Sequence, residues 1–279
     1  MPDVKLIALD LDGTLLNSDK ALTPRSRAAL EAAADAGVLI VPATGRFYKG
    51  MPAVIRELPF VRYVITINGA QVFDVRSGES IYSAEIPTDE AIAFYEYLDT
   101  LPVIYDCYVD GWGYMTASMQ EQAGEYISNF HSLQMVRELR SPVPELKMWL
   151  REGGRRPQKM QLFTKNDVPY RDELLQTLTE KYPQFAISTS LPNNIEINSR
   201  DADKGRALLG LAEKLGLSRE QTMAFGDGLN DLTMIKAAGV GVAMANGHHD
   251  VKAAADRTTL SCDEDGVALV IEELFGNPT

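Results

Sequence analysis

Short apolar runs alternate with helical patterns along the first part of the chain. The runs VKLIAL and VLIVP are typical of buried strands, and a third strand is predicted at YVITING. Between the first two runs, TPRSRAALEAAADAG predicts a helix with Thr23 as N-cap, Pro24 at its first position and Gly37 at its end. KGMPAVIREL predicts a second helix. Apolar strands that alternate with helices indicate an α/β fold with a parallel sheet covered on both faces.

The pattern changes after the third strand. A helix is predicted at TDEAIAFYEYLDTL, followed by two strands around a DG turn, the strand KMQLFT and the helix VPYRDELLQTLTEKY. The segment NNIEINS returns to the first pattern. It precedes a helix from Lys204, the strand TMAFGD, a helix, the strand GVGVAM and two more helical segments. We therefore predict a core domain made of residues 1–83 and 191–279, with an α+β domain inserted at 84–190.

Composition limits the classes of partner that this chain can have. Its 279 residues carry a net charge of −12, from 39 acidic and 27 basic side chains, which argues against binding nucleic acid or an anionic membrane surface. Two cysteines are too few for a disulfide framework. No signal-peptide pattern is evident, and no run reaches the roughly 20 apolar residues of a membrane span. We expect a soluble cytoplasmic protein.

Two aspartates follow the first apolar run, in IALDLDGTLL. Side chains two residues apart in an extended chain point the same way, so Asp10 and Asp12 can face one site. That site would lie beyond the carboxyl end of the strand, where parallel α/β sheets bind their ligands. Two carboxylates so close together repel each other, and burial adds a further cost. A metal ion or a reaction can offset that cost; a plain polar turn at Asp12 is the alternative interpretation.

Two further segments carry groups that suit a phosphate. Thr44, Gly45 and Arg46 close the second strand, where the threonine hydroxyl, the glycine and nearby main-chain amides can bind a phosphate oxygen. The Thr-Gly dipeptide is also a common loop exit. Lys204 begins a helical pattern and would place a positive charge near the helix N-terminus, although most lysines at such positions are simply solvated.

A second aspartate-rich turn, GDGLND, follows the strand TMAF. It contains Asp227 and Asp231. Carboxylate oxygens are the ligands that Mg²⁺ prefers. Asp10 and these two aspartates can surround one cation if their strands are neighbours in the sheet. A single turn rich in Asp, Asn and Gly is common, whereas two such turns at the ends of parallel strands are much rarer.

In this order the four segments resemble the motifs of the haloacid dehalogenase-like phosphohydrolases. LIALDLDGTLL resembles the first motif, PATGR the second, KGRALLGLAEKLGL the third and AFGDGLND the fourth. The closest resemblance is to the Cof-type branch, of which INGA, GVAMAN and DEDGVALVIEEL are also typical. This branch usually has Gly-Asn-Ala where the chain reads Ala245-Asn246-Gly247. The resemblance implies a Rossmann-like, doubly wound parallel-sheet core with a large α/β cap inserted between the second and third motifs.

The resemblance also implies roles for individual residues. Asp10 would be the nucleophile that forms an aspartyl-phosphate, held ionised by Mg²⁺ and Lys204. Asp12 would be the general acid/base, protonated when substrate binds. The implied Mg²⁺ site consists of Asp10, the main-chain carbonyl of Asp12, Asp227 and, as an anchor, Asp231. The implied phosphate-binding groups are the amide of Leu11, Thr44, Gly45, Lys204 and Asn230.

The function expected from this resemblance is Mg²⁺-dependent hydrolysis of small phosphorylated metabolites, with sugar phosphates as the first candidates. A phosphomutase on the same fold is an alternative, because it needs the same two aspartates. A non-enzymatic sensor of a phosphorylated ligand is another, although a pure binder has no need of a nucleophile. A dehalogenase is disfavoured, since it needs neither an acid at position 12 nor a cation. We expect a monomer or a weak homo-oligomer.

Overall fold

The computed structural model describes residues 3–165 and 168–276. None of the described helices is both long and apolar enough to cross a membrane. The strands are β1 (Leu6–Leu9), β2 (Leu39–Pro42), β3 (Tyr63–Thr66), β4 (Gln71–Asp74), β5 (Glu79–Ser83), β6 (Val103–Val109), β7 (Trp112–Thr116), β8 (Arg140–Val143), β9 (Lys159–Thr164), β10 (Phe185–Ser188), β11 (Asn194–Ser199), β12 (Thr222–Gly226), β13 (Val240–Ala243) and β14 (Arg257–Thr258). The helices are α1 (Pro24–Asp35), α2 (Ala53–Arg56), α3 (Thr88–Leu98), α4 (Ala117–Tyr126), α5 (Phe130–Glu138), α6 (Leu146–Glu152), α7 (Val168–Lys181), α8 (Lys204–Lys214), α9 (Leu232–Ala237), α10 (His249–Ala254) and α11 (Gly266–Phe275).

A five-stranded parallel sheet lies at the centre of the first compact unit, in the order β14-β13-β12-β1-β2. Ile7 and Leu9 of β1 pack with α1 and α11 on one face. Leu6 and Ala8 pack with α8 and α9 on the other. Both faces are therefore apolar, as the continuous hydrophobic runs predicted, and the α/β fold class is confirmed. We call this unit, made of residues up to 82 and from 203 onward, the core unit.

The start of α1 was predicted correctly from local sequence signals, but the length of α2 was not. Thr23 Oγ1 accepts the amide hydrogen of Ser26 at 3.1 Å, which is the predicted N-cap. The helix predicted over KGMPAVIREL is limited to α2, which is one turn long. Pro52 causes this difference, because a proline disfavours helical geometry in the residue before it, and Met51 is extended with ψ 149°.

The third predicted strand joins a sheet of its own. β3 pairs antiparallel with β4 in a three-stranded sheet, in the order β3-β4-β5. It still touches the central sheet, since Ala43 forms a parallel bridge with Ile65. The end of β3 consequently lies beside the end of β2.

The second compact unit, residues 83–202, is called here the inserted unit. Its sheet has the order β10-β11-β9-β6-β7-β8 and is antiparallel except for the pair of β7 and β8. Tyr105 and Cys107 of β6 pack with α3, α6 and α7 on its apolar face. The predicted boundary at 191 is wrong, because NNIEINS forms β11, which pairs with β9 and β10 of this sheet. The core unit resumes at Asp203.

The other face of this sheet carries buried charged side chains. Asp106 has no exposed surface, and its Oδ2 accepts a hydrogen bond from Nε of Arg140 at 2.7 Å. Arg140 Nη2 also donates to the Tyr108 hydroxyl at 2.9 Å. Lys159 and Glu196 form a second buried pair at 2.6 Å. Each cation is matched by a carboxylate, so that loss of one partner leaves an uncompensated charge in the interior.

We expect Arg140→Ala to lower the free energy of unfolding by about 3–5 kcal/mol, because Asp106 would remain buried without its cation. Urea denaturation followed by circular dichroism measures the loss. Arg151→Ala removes an exposed arginine of the same unit and should stay within about 0.5 kcal/mol of wild type. Combining Asp106→Leu with Arg140→Met should recover most of the loss, and equal losses in the single and double variants would contradict this explanation.

Candidate active site

A buried ammonium group joins two carboxylates at the carboxyl end of β1. Lys204 Nζ donates to Oδ1 of Asp10 and to Oδ1 of Asp231, both at 2.6 Å. The Lys204 side chain is fully buried, and Asp10 and Asp231 are 7% and 0% exposed. β1 and β12 are neighbours in the sheet, which is the condition under which the sequence analysis expected the two aspartate-rich turns to share a site, and the two turns meet. Lys204 enters as the first residue of α8.

A strained turn positions the start of α8. Gly69 has φ +91°, and a Cβ atom there would lie 2.3 Å from the main-chain carbon of Asp203. Ile67 and Asn68 also have positive φ angles, 55° and 57°. Such conformations cost about 1–3 kcal/mol each in residues other than glycine and concentrate at functional sites. The INGA segment, which the sequence reasoning used only as a mark of resemblance, therefore helps to build the site.

The loop after β1 folds back on itself. The Leu11 carbonyl accepts the amide hydrogens of Thr14 at 3.4 Å and Leu16 at 2.8 Å, while the Leu11 side chain is buried in the core. Asn246 Nδ2 donates to the Gly13 carbonyl at 2.8 Å and ties this loop to the segment after β13. The main chain at Leu11 and Gly13 is thus fixed next to Asp10, where an amide can serve a phosphate oxygen.

Asp227 is oriented from two sides. Thr14 Oγ1 donates to its Oδ1 at 2.8 Å. Asp231 Oδ2 accepts the amide hydrogens of Asp227 at 3.0 Å and Gly228 at 2.9 Å, which fixes the turn itself. Gly13 has φ +93°, and a Cβ atom there would lie only 2.5 Å from Asp227 Oδ2. The close approach of these two turns therefore depends on glycine at position 13.

The carboxylates of this group fit a hard divalent cation. Asp10, Asp227 and Asp231 offer oxygen atoms that all lie within 4.8 Å of one another. Asp231 already uses Oδ1 for Lys204 and Oδ2 for two amides, which suits an anchor rather than a direct ligand. Asp10 and Asp227 each accept a side-chain hydrogen bond on Oδ1, so Oδ2 is the atom that each can offer. An all-oxygen donor set of this kind suits Mg²⁺.

Electrostatics at this group also favour a cation. Burial, followed by the charge of Asp231, raises the pKa of Asp10 to about 8, although Lys204 partly opposes the shift. Burial raises the pKa of Asp227 as well. Burial alone would lower the pKa of Lys204, but the charges of Asp10 and Asp231 outweigh it and raise that pKa. Three carboxyl groups lie around one ammonium group, and a bound divalent cation would lower the pKa values of Asp10 and Asp227.

Asp12 is surrounded by cationic side chains, whereas Asp10 has two further carboxylates nearby. Arg46 contacts both of its oxygens, with Nη2 at 3.1 Å from Oδ2 and 3.3 Å from Oδ1, and Nε at 3.2 Å from Oδ2. Lys20 Nζ lies 3.0 Å from Oδ1. Burial raises the pKa of Asp12, but the charges and hydrogen bonds of Arg46 and Lys20 outweigh it, and the net pKa is lowered. The segment Thr44-Gly45-Arg46 was singled out in the sequence, but only Thr44 and Gly45 were given a role there, and the contact of Arg46 with Asp12 was not predicted.

The remaining predicted phosphate groups line the neighbouring loops. Thr44 is 2% exposed, and its amide donates to the Ile65 carbonyl at 2.9 Å. Gly45 lies against Asn68, since a Cβ atom there would be 2.8 Å from Asn68 Oδ1. The exposed Asn230 donates from Nδ2 to the same Asn68 oxygen at 3.4 Å. Asn68, which was not among the predicted site residues, therefore links the second and fourth motifs.

Comparison with known proteins agrees with the motifs. The family model described as haloacid dehalogenase-like hydrolase matches residues 7–271. The 5-amino-6-(5-phospho-D-ribitylamino)uracil phosphatase YcsE of Bacillus subtilis (strain 168) is 33% identical over 272 residues, 96% of this chain and 95% of that protein. Phosphatase YwpJ of the same organism is 30% identical, covering 98% and 100%. A solved haloacid dehalogenase-like hydrolase from Bacteroides thetaiotaomicron has a TM-score of 0.82 at 30% identity, covering 97% and 99%.

Raising the pH should weaken the metal-free protein through Asp10. Its pKa is about 8 in the folded chain against an ordinary 3.8, so between these values the folded state holds a proton that the unfolded state has lost. The free energy of unfolding contributed by Asp10 is therefore fully present below the lower value and is lost as the pH rises through the higher one.

Urea midpoints measured in the presence of a chelator, for wild type and Asp10→Asn, isolate this contribution because asparagine does not titrate. The stability of wild type relative to the variant should fall between about pH 5 and pH 8. A difference that does not change with pH would contradict the assignment.

Proposed function

The chain belongs to the haloacid dehalogenase-like hydrolase family and is a phosphatase, and we propose that it hydrolyses small phosphorylated metabolites with Mg²⁺ through an aspartyl-phosphate. The observation that carries this proposal is the buried hydrogen bond between Asp10 and Lys204, with Asp227 and Asp231 close by. This arrangement places one carboxylate beside a permanent positive charge and a cation-binding set of oxygens. Phosphoryl transfer requires mainly alignment and charge neutralisation, which these groups provide.

In the first half of the proposed reaction, an oxygen of Asp10 attacks phosphorus and the ester P–O bond breaks. Asp12 gives a proton to the departing oxygen. In the second half, water attacks the aspartyl-phosphate, Asp12 accepts a proton from that water, and the bond between Asp10 and phosphorus breaks to release inorganic phosphate. Asp10 and Asp227 would hold a Mg²⁺ ion, which would neutralise charge on the phosphoryl oxygens and on the carboxylates.

The phosphoryl group would be held by donors from four segments of the chain. Lys204 has one hydrogen beyond the two that it gives to Asp10 and Asp231. The Thr44 hydroxyl accepts the Arg46 amide hydrogen at 3.2 Å and keeps its own hydrogen for a ligand. The remaining proposed donors are the amides of Leu11 and Gly45 and the side chain of Asn230.

The substrate class that we propose is phosphate esters of small polyhydroxylated compounds. The relative YcsE is named for a substrate that carries a phosphorylated ribityl chain. Sugar phosphates, the class expected from the sequence, share that feature of a phosphate on a hydroxylated carbon chain. The cytoplasmic location and the monomeric or weakly oligomeric state stay predictions.

Phosphate release from a panel of sugar and polyol phosphates should require Mg²⁺ and be abolished by Asp10→Asn. The substitution removes the nucleophilic oxygen while it keeps the size of the side chain. Malachite-green assays with and without a chelator test both requirements, and the ranking of substrates defines the preferred leaving group.

Two other results would point to the alternative functions. A positional isomer formed with little free phosphate would indicate a phosphomutase. A shift of the melting temperature by a phosphorylated compound, without turnover of any member of the panel, would indicate a ligand sensor. Either result would refute hydrolysis as the activity.

Gly13→Ala should reduce phosphate release by at least about tenfold, because the new methyl group would displace Asp227. Gly37→Ala is the matched control: Gly37 has φ +85°, so the backbone strain is similar, but a Cβ atom there meets nothing within 4 Å. Both variants should lose similar stability in urea denaturation, and only the first should lose activity. Equal loss of activity in the two variants would contradict a steric role.

A further inference from the structure

The Asp12 carboxylate is held by a side chain that is itself fixed in place. Arg46 presents Nε and Nη2 to Asp12, while its Nη1 donates to the Gly50 carbonyl at 3.4 Å. Its amide donates to Thr44 Oγ1 at 3.2 Å. The guanidinium group is therefore oriented from its own loop, and its planar shape fixes the direction of the carboxylate as well as its charge.

Lys20 contacts the same carboxylate in a different way. Its side chain is 59% exposed, against 26% for Arg46, and it reaches a single oxygen at 3.0 Å. An exposed ammonium group on a flexible chain contributes little to orientation, since solvent competes with it. Arg46 is consequently the residue that sets the position of Asp12.

The two halves of the proposed reaction make opposite demands on Asp12. Departure of the ester oxygen needs a proton donor, whereas attack of water on the aspartyl-phosphate needs a proton acceptor. A carboxylate that already accepts three hydrogen bonds from one guanidinium group has the arrangement of an acceptor.

We propose that Arg46 is a positioning residue for the second half of the reaction, in which it orients the Asp12 carboxylate to take the proton of the attacking water. The inference rests on the proposed function. In this step the water oxygen forms a bond to phosphorus, the bond between Asp10 and phosphorus breaks, and the water proton passes to Asp12. The products are inorganic phosphate and free Asp10.

A chromogenic aryl ester separates the two halves. p-Nitrophenolate is a stable anion that leaves without a proton, so formation of the aspartyl-phosphate from p-nitrophenyl phosphate does not need an acid. Hydrolysis of the intermediate is the same step for every ester. A defect confined to hydrolysis should appear as a rapid burst of p-nitrophenol, near one equivalent per active site, followed by a slow steady state.

Arg46→Ala should leave the rate of the burst within about threefold of the wild-type rate of acylphosphate formation and lower the steady-state rate about 10- to 100-fold. Arg46→Lys keeps the charge without the two-pronged geometry, and should recover only part of the rate. Stopped-flow absorbance with saturating Mg²⁺ gives both phases, and acid quench of the ³²P-labelled reaction measures the trapped intermediate.

Arg56→Ala is the matched control, because Arg56 is half-buried on the neighbouring segment and its Nε donates to the Met51 carbonyl at 3.1 Å. This variant should show wild-type burst and steady-state rates. If Arg46→Ala does not fold, as judged by circular dichroism, the burst and steady-state rates of Arg46→Lys test the role of Arg46 instead.

Three results would overturn the role of Arg46. One is loss of the burst itself, which would place Arg46 in the first half of the reaction. Another is a rise in KM with an unchanged kcat, which would make it a substrate-binding residue. The third is an unchanged steady-state rate. Absence of phosphate release by the wild-type protein from every ester would instead refute the proposed function.

Discussion

The structure of the site depends on one buried ammonium group. Lys204 is separated in sequence from both carboxylates that it contacts, Asp10 at the end of β1 and Asp231 after β12. Removing these charges from water costs several kcal/mol per ion, and only their close pairing offsets that cost. The pairing is possible because the central sheet places β1 beside β12 and α8 begins beside their carboxyl ends. The strand order of the core unit therefore determines the geometry of the site.

The surroundings of Asp10 and Asp12 shift the pKa values of these two aspartates in opposite directions. Burial among other carboxylates raises the pKa of Asp10, whereas Arg46 and Lys20 lower that of Asp12. Both shifts are opposite to what the first half of the proposed reaction needs, an ionised nucleophile and a protonated acid. Binding must then reverse them: a divalent cation lowers the pKa of Asp10, and an anionic ester weakens the hold of the cations on Asp12. The free protein is closer to the state needed for hydrolysis of the intermediate.

The features that the sequence predicted correctly rest on local signals. The cap of α1 needs only Thr23 and Pro24, and each aspartate-rich turn is recognised from the apolar strand that precedes it. The boundary of the inserted unit was missed because Ile195 and Ile197 alternate with polar residues that suit either sheet. Arg46 was given no role because its contact with Asp12 is tertiary, and a basic residue in a loop is most often solvated.

The strained turn after β3 explains why the loop that carries Arg46 is held in place. The amide of Ile67 donates to the Arg46 carbonyl at 3.0 Å, and that of Asn68 donates to the Thr44 carbonyl at 3.1 Å. Both donors have left-handed backbone geometry, which is rare for a β-branched residue such as Ile67. Full burial of the Ile67 side chain offsets part of that strain.

If Ile67 and Asn68 adopted ordinary backbone geometry, their amides would no longer point at the Arg46 and Thr44 carbonyls. The loop between β2 and α2 would then lose both hydrogen bonds. Because Gly69 of the same turn lies against Asp203, the strain that fixes Arg46 also fixes the residue before Lys204. The cation that pairs with Asp10 and the one that pairs with Asp12 are thus oriented by a single turn of the chain. This common support gives a physical reason for the INGA segment to be part of the site although none of its side chains carries a charge.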